Sequence, residues 1–148
     1  MTQQQIVAEQ ENRFDPDDIQ DGRKRQLRLV LRRGQQAFRS ALLKAYESRC
    51  AISGCDCPDA LEAAHVYPYH GDQTNMPCNG LLLRADLHVL LDLGLISIEP
   101  DSLTVVIAQS LKTTFYGDLQ GKPVSVPKDP SARLSKQALQ WHFRQSGL

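Results

Sequence analysis

Between Leu61 and Gly94 the hydrophobic pattern of this chain changes character three times within a few turns' worth of residues. Leu61-Glu62-Ala63-Ala64-His65-Val66 is a short apolar run with Pro68 just beyond, which predicts a strand that a proline stops, with His65 at its end. From His70 through Gly71, Asp72, Asn75, Pro77 and Asn79-Gly80 the chain is dense in turn formers and carries no periodicity, so a loop closed by Asn79 is expected. Leu81-Leu82-Leu83 restarts an apolar strand. From about Ala85 the positions Leu87, Leu90 and Leu91, with a stop at Gly94, suit one short helix. Asp86 falls in its first turn, where negative charge is favoured. Two short strands, an irregular loop and a short helix leave little freedom in how this stretch can pack.

Three polar residues punctuate it: His65, Asn79 and His88, fourteen and nine residues apart. His88 and Asp92 are four apart and share a face of the helix, while the leucines lie mainly on other faces. Such a polar stripe on an apolar helix needs a reason, and phosphodiester hydrolysis supplies one. A neutral imidazole, with an ordinary pKa of about 6.5, can take a proton from water at neutral pH, an effect worth roughly 10²- to 10⁴-fold. His65 fits that role. A hard divalent cation beside the phosphate would stabilise the developing charge, and His88 with Asp92 could hold it. Taken singly, each histidine has a hydrogen-bonded packing role as its ordinary explanation, and Asn79-Gly80 is a strong turn signal in its own right. Their conjunction favours chemistry.

At these residues the chain resembles the HNH endonuclease family, in the version whose first motif reads Ala-Ala-His, then Val or Ile, any residue, and Pro. The likeness covers Ala63 to Pro68, Asn79 to Arg84 and Asp86 to Gly94, and with the lead-in around Cys50-Ala51-Ile52-Ser53-Gly54-Cys55 it extends from about Gly34. The resemblance implies an α+β fold: a ββα-metal core with an N-terminal helix before it and a β-hairpin and C-terminal helix after it. It implies a metal-dependent endonuclease acting on DNA, in which His65 is the general base, Asn79 fixes the loop and orients that base, and His88 is the helix-borne metal ligand. Asp92 matches the place where some members carry a second ligand. Mg²⁺ is the expected ion, with Mn²⁺ and Zn²⁺ as alternatives.

One position departs from the pattern. Many members place an acidic or histidine ligand just before the base, and here that position is Ala64, which cannot bind metal. Coordination would then rest on His88 with Asp92 or Asp86, on waters and on the substrate, as magnesium allows. Glu62 is a further candidate. Arg84 could grip a phosphate with its planar fork, or pair with Asp86 or Asp92. Tyr67, Tyr69 and His70 are expected to pack or face solvent rather than line a groove, and His142 to be an ordinary residue of the terminal helix. Two other readings compete: a non-cleaving nucleic-acid-binding module of the same fold, supported by Ala64, and a zinc-stabilised interaction domain.

The zinc reading rests on Cys50, Cys55, Cys57 and Cys78, which bracket His65 but lack paired Cys-x-x-Cys knuckles. Its rival is reduced thiols, with Cys50 and Cys55 packing the turn before the first strand. The polar opening Met1-Thr2-Gln3-Gln4-Gln5 does not look like a signal peptide, and no apolar run approaches the ~18 residues of a membrane span, so a cytoplasmic location is expected. Nothing in the chain speaks to a protein partner or an oligomer.

The formal net charge of zero hides segregation. Residues 1–20 carry five acidic and one basic side chain, residues 21–50 nine basic and two acidic, and the remainder ten acidic and seven basic. The basic stretch with Arg23, Lys24, Arg25, Arg28, Arg32 and Arg33 is either a phosphate-backbone contact or a solvated helix face. A disordered acidic tail over 1–22 and one domain over 23–148 are expected. Leu27 to Leu31 suits an early helix, and Gln35 to Glu47 an amphipathic one through Phe38, Ala41, Leu42, Ala45 and Tyr46. Leu95–Ile98 and Leu103–Ile107 read as a hairpin that extends the catalytic layer. Residues 117–130 should be loop, and Ser135 should cap a last helix carrying Leu139 and Phe143.

Overall fold

A computed structural model describes residues 35–148. The acidic tail, the basic stretch and the helix expected near Leu27 lie outside the described residues. Helix α1 spans Gln36–Ala45, and Phe38, Leu42 and the following Tyr46 form its buried stripe at helical spacing. Strands β1 (Leu61–His65) and β2 (Gly80–Arg84) pair antiparallel, from Leu61 opposite Arg84 to His65 opposite Gly80. Leu81, Leu82 and Leu83 are all fully buried, so β2 has apolar cover on both faces and reads as a continuous hydrophobic run. The lead-in segment closes on β2 too, with Ala51 N–H donating to Leu82 O at 2.8 Å.

Helix α2 (Ala85–Asp92) follows β2 without a break. Leu87 and Leu91 anchor it in the core. Gly94, at φ 70°, supplies the left-handed residue that ends it, and Leu95 N–H returns to Leu90 O at 3.0 Å. Strands β3 (Ile96–Ile98) and β4 (Val105–Ile107) then form the expected hairpin. Contrary to the sequence expectation, it does not extend the first strand pair: β3–β4 is a separate two-stranded sheet. The physical reason is that the edge of β4 is already occupied. Val105 and Val124 N–H groups bond to Lys122 O and Leu103 O, and Gly121 N–H to Val105 O.

Helix α3 (Lys136–Ser146) starts at Ser135, whose hydroxyl accepts from Ala138 N–H as the sequence suggested, and ends at Gly147 in the left-handed conformation. His142 is more than an ordinary helix residue. Buried, it accepts from the Ser97 hydroxyl at Nδ1 (2.7 Å) and donates from Nε2 to Leu91 O (2.9 Å), tying α3 to β3 and to α2. The described residues are therefore α+β, with three helices and two strand pairs around one core. Among them no helix is long and apolar enough to cross a membrane.

Gly80 does not form the Asn-Gly turn its sequence suggested; its backbone is extended, φ −129°. Its requirement is steric. A Cβ there would lie 2.6 Å from Phe38 Cζ and 2.7 Å from Leu42 Cδ1. Gly80→Ala should therefore destabilise the fold by about 1–3 kcal/mol, read from its urea midpoint. The reverse applies at Tyr46, whose buried hydroxyl finds no hydrogen-bond partner among the described residues and whose pKa burial pushes up. Tyr46→Phe should leave stability unchanged or raise it by up to about 1 kcal/mol in the same measurement.

Candidate active site

The end of β1, the loop that follows and helix α2 meet at a cleft of about 520 Å³, lined by His65, Tyr69, His88 and Asp92, with Trp141 and Gln145 of α3 on its other wall. His65 enters it because β1 stops there. Its ring stacks on Phe38 (centroids 4.5 Å apart, planes 15° apart) and meets the edge of Tyr69 at 5.8 Å. Its Nε2 lies 2.7 Å from Asn75 Oδ1.

Asn79 is buried and turns away from the imidazole. Its side-chain oxygen accepts from Tyr67 N–H (2.8 Å), and its amide donates to Tyr67 O (2.9 Å) and Thr74 O (3.0 Å). Its own carbonyl accepts from Val66 N–H at 3.0 Å. The carboxamide thus laces the two ends of the loop together, while contact with the His65 imidazole comes from Asn75. Sequence reasoning passed over Asn75, because one more asparagine in a run of turn formers carries no periodic or motif signal. It likewise took Phe38 for core alone and did not single out Trp141.

His88, the fourth residue of α2, sits between two carboxylates. Nδ1 is 2.8 Å from Glu62 Oε1 on β1, and Nε2 is 3.2 Å from Asp92 Oδ2 one helical turn on. Asp92 foremost, then Glu62, holds the imidazole pKa above its ordinary value against the opposing effect of burial. Arg84 makes a two-pronged ion pair with Asp86 at 2.6 and 2.9 Å, and Tyr116 donates to the same carboxylate at 2.7 Å. Arg84 accordingly holds Asp86 down at about 2, and both groups are engaged with each other rather than turned to the cleft ligands. Ala64 is fully buried.

The donor chemistry at His88 and Asp92 suits a hard divalent cation. Adjacent ligands of an octahedral ion with bonds of about 2.1 Å stand about 3 Å apart, close to the 3.2 Å between Nε2 and Oδ2. Among the described residues no three His, Cys, Asp or Glu side chains group to hold a metal, so such an ion would rest on two side chains, with water and substrate completing its shell. The cysteines do not converge either: Cys50 is a core residue whose sulfur accepts from Ser53 and Arg84 N–H, whereas Cys57 is exposed.

Two strands and a helix that direct imidazoles into one cleft define the class of domain, and comparison with known proteins agrees. Residues 50–99 match the model of a family described as HNH endonuclease. Among solved structures the chain is similar to a modification dependent TagI restriction endonuclease, at 22% identity and a TM-score of 0.55, a likeness of fold. The match covers 71% of this chain and 35% of that one, so the chain spans about a third of that protein's length. No curated protein matches.

Removing the Asn79 carboxamide should loosen the loop that sets the cleft. Asn79→Ala is expected to cost about 1–3 kcal/mol. Asn79→Asp should do no better, since a carboxylate cannot donate to the carbonyls of Tyr67 and Thr74. Urea midpoints of the two variants check the ranking.

Proposed function

We propose that the chain is a metal-dependent endonuclease that hydrolyses phosphodiester bonds of DNA, built on a ββα-metal core. The observation that carries this reading is that His65, His88 and Asp92, far apart in sequence, line one cleft. The similarity to a restriction endonuclease supports DNA as the substrate class.

In this reading His65 takes the proton from a water molecule as its oxygen attacks phosphorus, with Phe38 and Tyr69 limiting the ring's motion. Asn79 holds the loop that carries the ring's partner. His88 and Asp92 hold the divalent ion, with Mg²⁺ expected, while Glu62 on Nδ1 leaves Nε2 as the ligating nitrogen, the arrangement by which carboxylates orient metal-binding histidines. A cation so bound supplies Lewis-acid stabilisation of the charge that builds on the phosphate and leaving oxygens. Arg84 acts as a phosphate contact only if the substrate displaces Asp86. A domain from residue 23 onward, with the basic stretch before α1 gripping the duplex backbone, completes the proposal. A cytoplasmic enzyme fits the same reading.

The two-side-chain ligand set favours a second reading, a DNA-binding module of the same fold that does not cleave. Supercoiled plasmid decides between them. Wild-type protein with Mg²⁺ or Mn²⁺ should nick or linearise it, and chelator should stop the reaction. His65→Ala should lower the rate by roughly 10²- to 10⁴-fold while DNA binding persists. Binding without cleavage by the wild type would establish the module instead, and undiminished cutting by His65→Ala would remove the proposed base.

A further inference from the structure

A hydrogen bond between an imidazole and a carboxamide oxygen specifies more than position. A carbonyl oxygen only accepts, so the 2.7 Å contact to Asn75 Oδ1 requires a proton on Nε2 of His65 and leaves the lone pair of the neutral ring on Nδ1. Which nitrogen of a catalytic histidine is basic is set by the partner of the other, and on this ring that partner is Asn75.

The carboxamide is itself held in place. Asn75 ends the single turn Asp72–Thr74, with its N–H bonded to Asp72 O at 3.0 Å. The preceding Thr74 is buried: its hydroxyl donates to Gly71 O (2.6 Å) and accepts from His70 N–H (3.0 Å), and its carbonyl accepts from the Asn79 amide. Asn79, Thr74, Asn75 and His65 therefore form a continuous chain of contacts from the end of the loop back to its start. The Phe38 ring, stacked on one face of the imidazole, restricts rotation that would break the Asn75 contact.

We propose that Asn75 is the positioning residue of the proton-accepting histidine, holding His65 as the Nε2–H tautomer so that Nδ1 receives the proton. The proposal rests on the nuclease reading for its chemistry. In that step one O–H bond of water breaks, its electron pair forms the new O–P bond, and the proton lands on Nδ1. The leaving oxygen departs with the electrons of its P–O bond and is protonated from solvent. Asn75 touches neither water nor phosphate; it acts through the ring.

Long-range ¹H–¹⁵N correlation spectra of the full chain, without metal or DNA and at a pH where the ring is neutral, read the tautomer directly. Wild-type His65 should show a protonated Nε2 and a bare Nδ1. Asn75→Ala should mix the two tautomers, and Asn75→Asp, which keeps an acceptor oxygen, should restore the wild-type pattern. With amide spectra confirming that each variant is folded, Asn75→Ala should lower kcat for plasmid cleavage on the order of 10- to 100-fold, the range for a misplaced catalytic group. KM should barely change, and Asn75→Asp should recover most of the rate. A wild-type ring protonated on Nδ1, ring signals unmoved by Asn75→Ala, or cutting by Asn75→Ala at the wild-type rate would each overturn the proposal. A wild type that cuts nothing would instead sink the nuclease reading, and the ring spectra would still decide the Asn75 contact.

Discussion

Helix α1 approaches the first strand pair at Gly80 closely enough that Phe38 and Leu42 fill the space where any other residue would carry a side chain. Because Gly80 stands opposite His65 in the register, the same phenyl ring that needs a bare backbone beneath it also stacks on the imidazole. Packing of the core and placement of the proposed base are thus one event. Interiors pack at crystal-like density, so neither side of this contact can shift without the other. Helix α2 is locked to the same layer through Leu87 and Leu91, which sets His88 and Asp92 on the cleft wall.

The loop between β1 and β2 would be the weak part of such a site, since loops lose order easily. Here it is internally satisfied. Asn79 closes it with three side-chain hydrogen bonds, Thr74 stiffens its middle, and Asn75 passes that rigidity to His65. On the far wall His142 fixes α3 to the carbonyl one residue before Asp92. Both walls of the cleft are therefore supported by buried polar contacts, which give direction where apolar packing gives only proximity.

Charge at the cleft is arranged in separate pairs. Asp86 is neutralised by Arg84 and capped by Tyr116, which leaves Glu62 and Asp92 as the carboxylates that address His88. With Ala64 buried, β1 presents Glu62 to His88 rather than the residue beside the proposed base. The proposed metal site is therefore sparse in protein ligands, and the cleft of about 520 Å³ has room for water and a phosphate beside it.

Much of this was legible in the chain. The strand stopped before Pro68, the loop closed at Asn79, the leucine run of β2, the short helix stopped at Gly94 and the Ser135 cap all follow from rules that act over a few residues, where side-chain periodicity and backbone propensity decide. His65, Asn79 and His88 stood out through the resemblance of their motifs to a known family, and the structure brings His65 and His88 to one cleft while Asn79 closes the loop. Tertiary structure alone decided which asparagine meets the imidazole, which glycine lies beneath Phe38, why the β3–β4 hairpin stays apart from β1–β2, and that His142 is a buried bridge. Each of these depends on partners ten to fifty residues away, brought together by burial of the shared core, and no pattern along a single segment encodes which distant atom will be there.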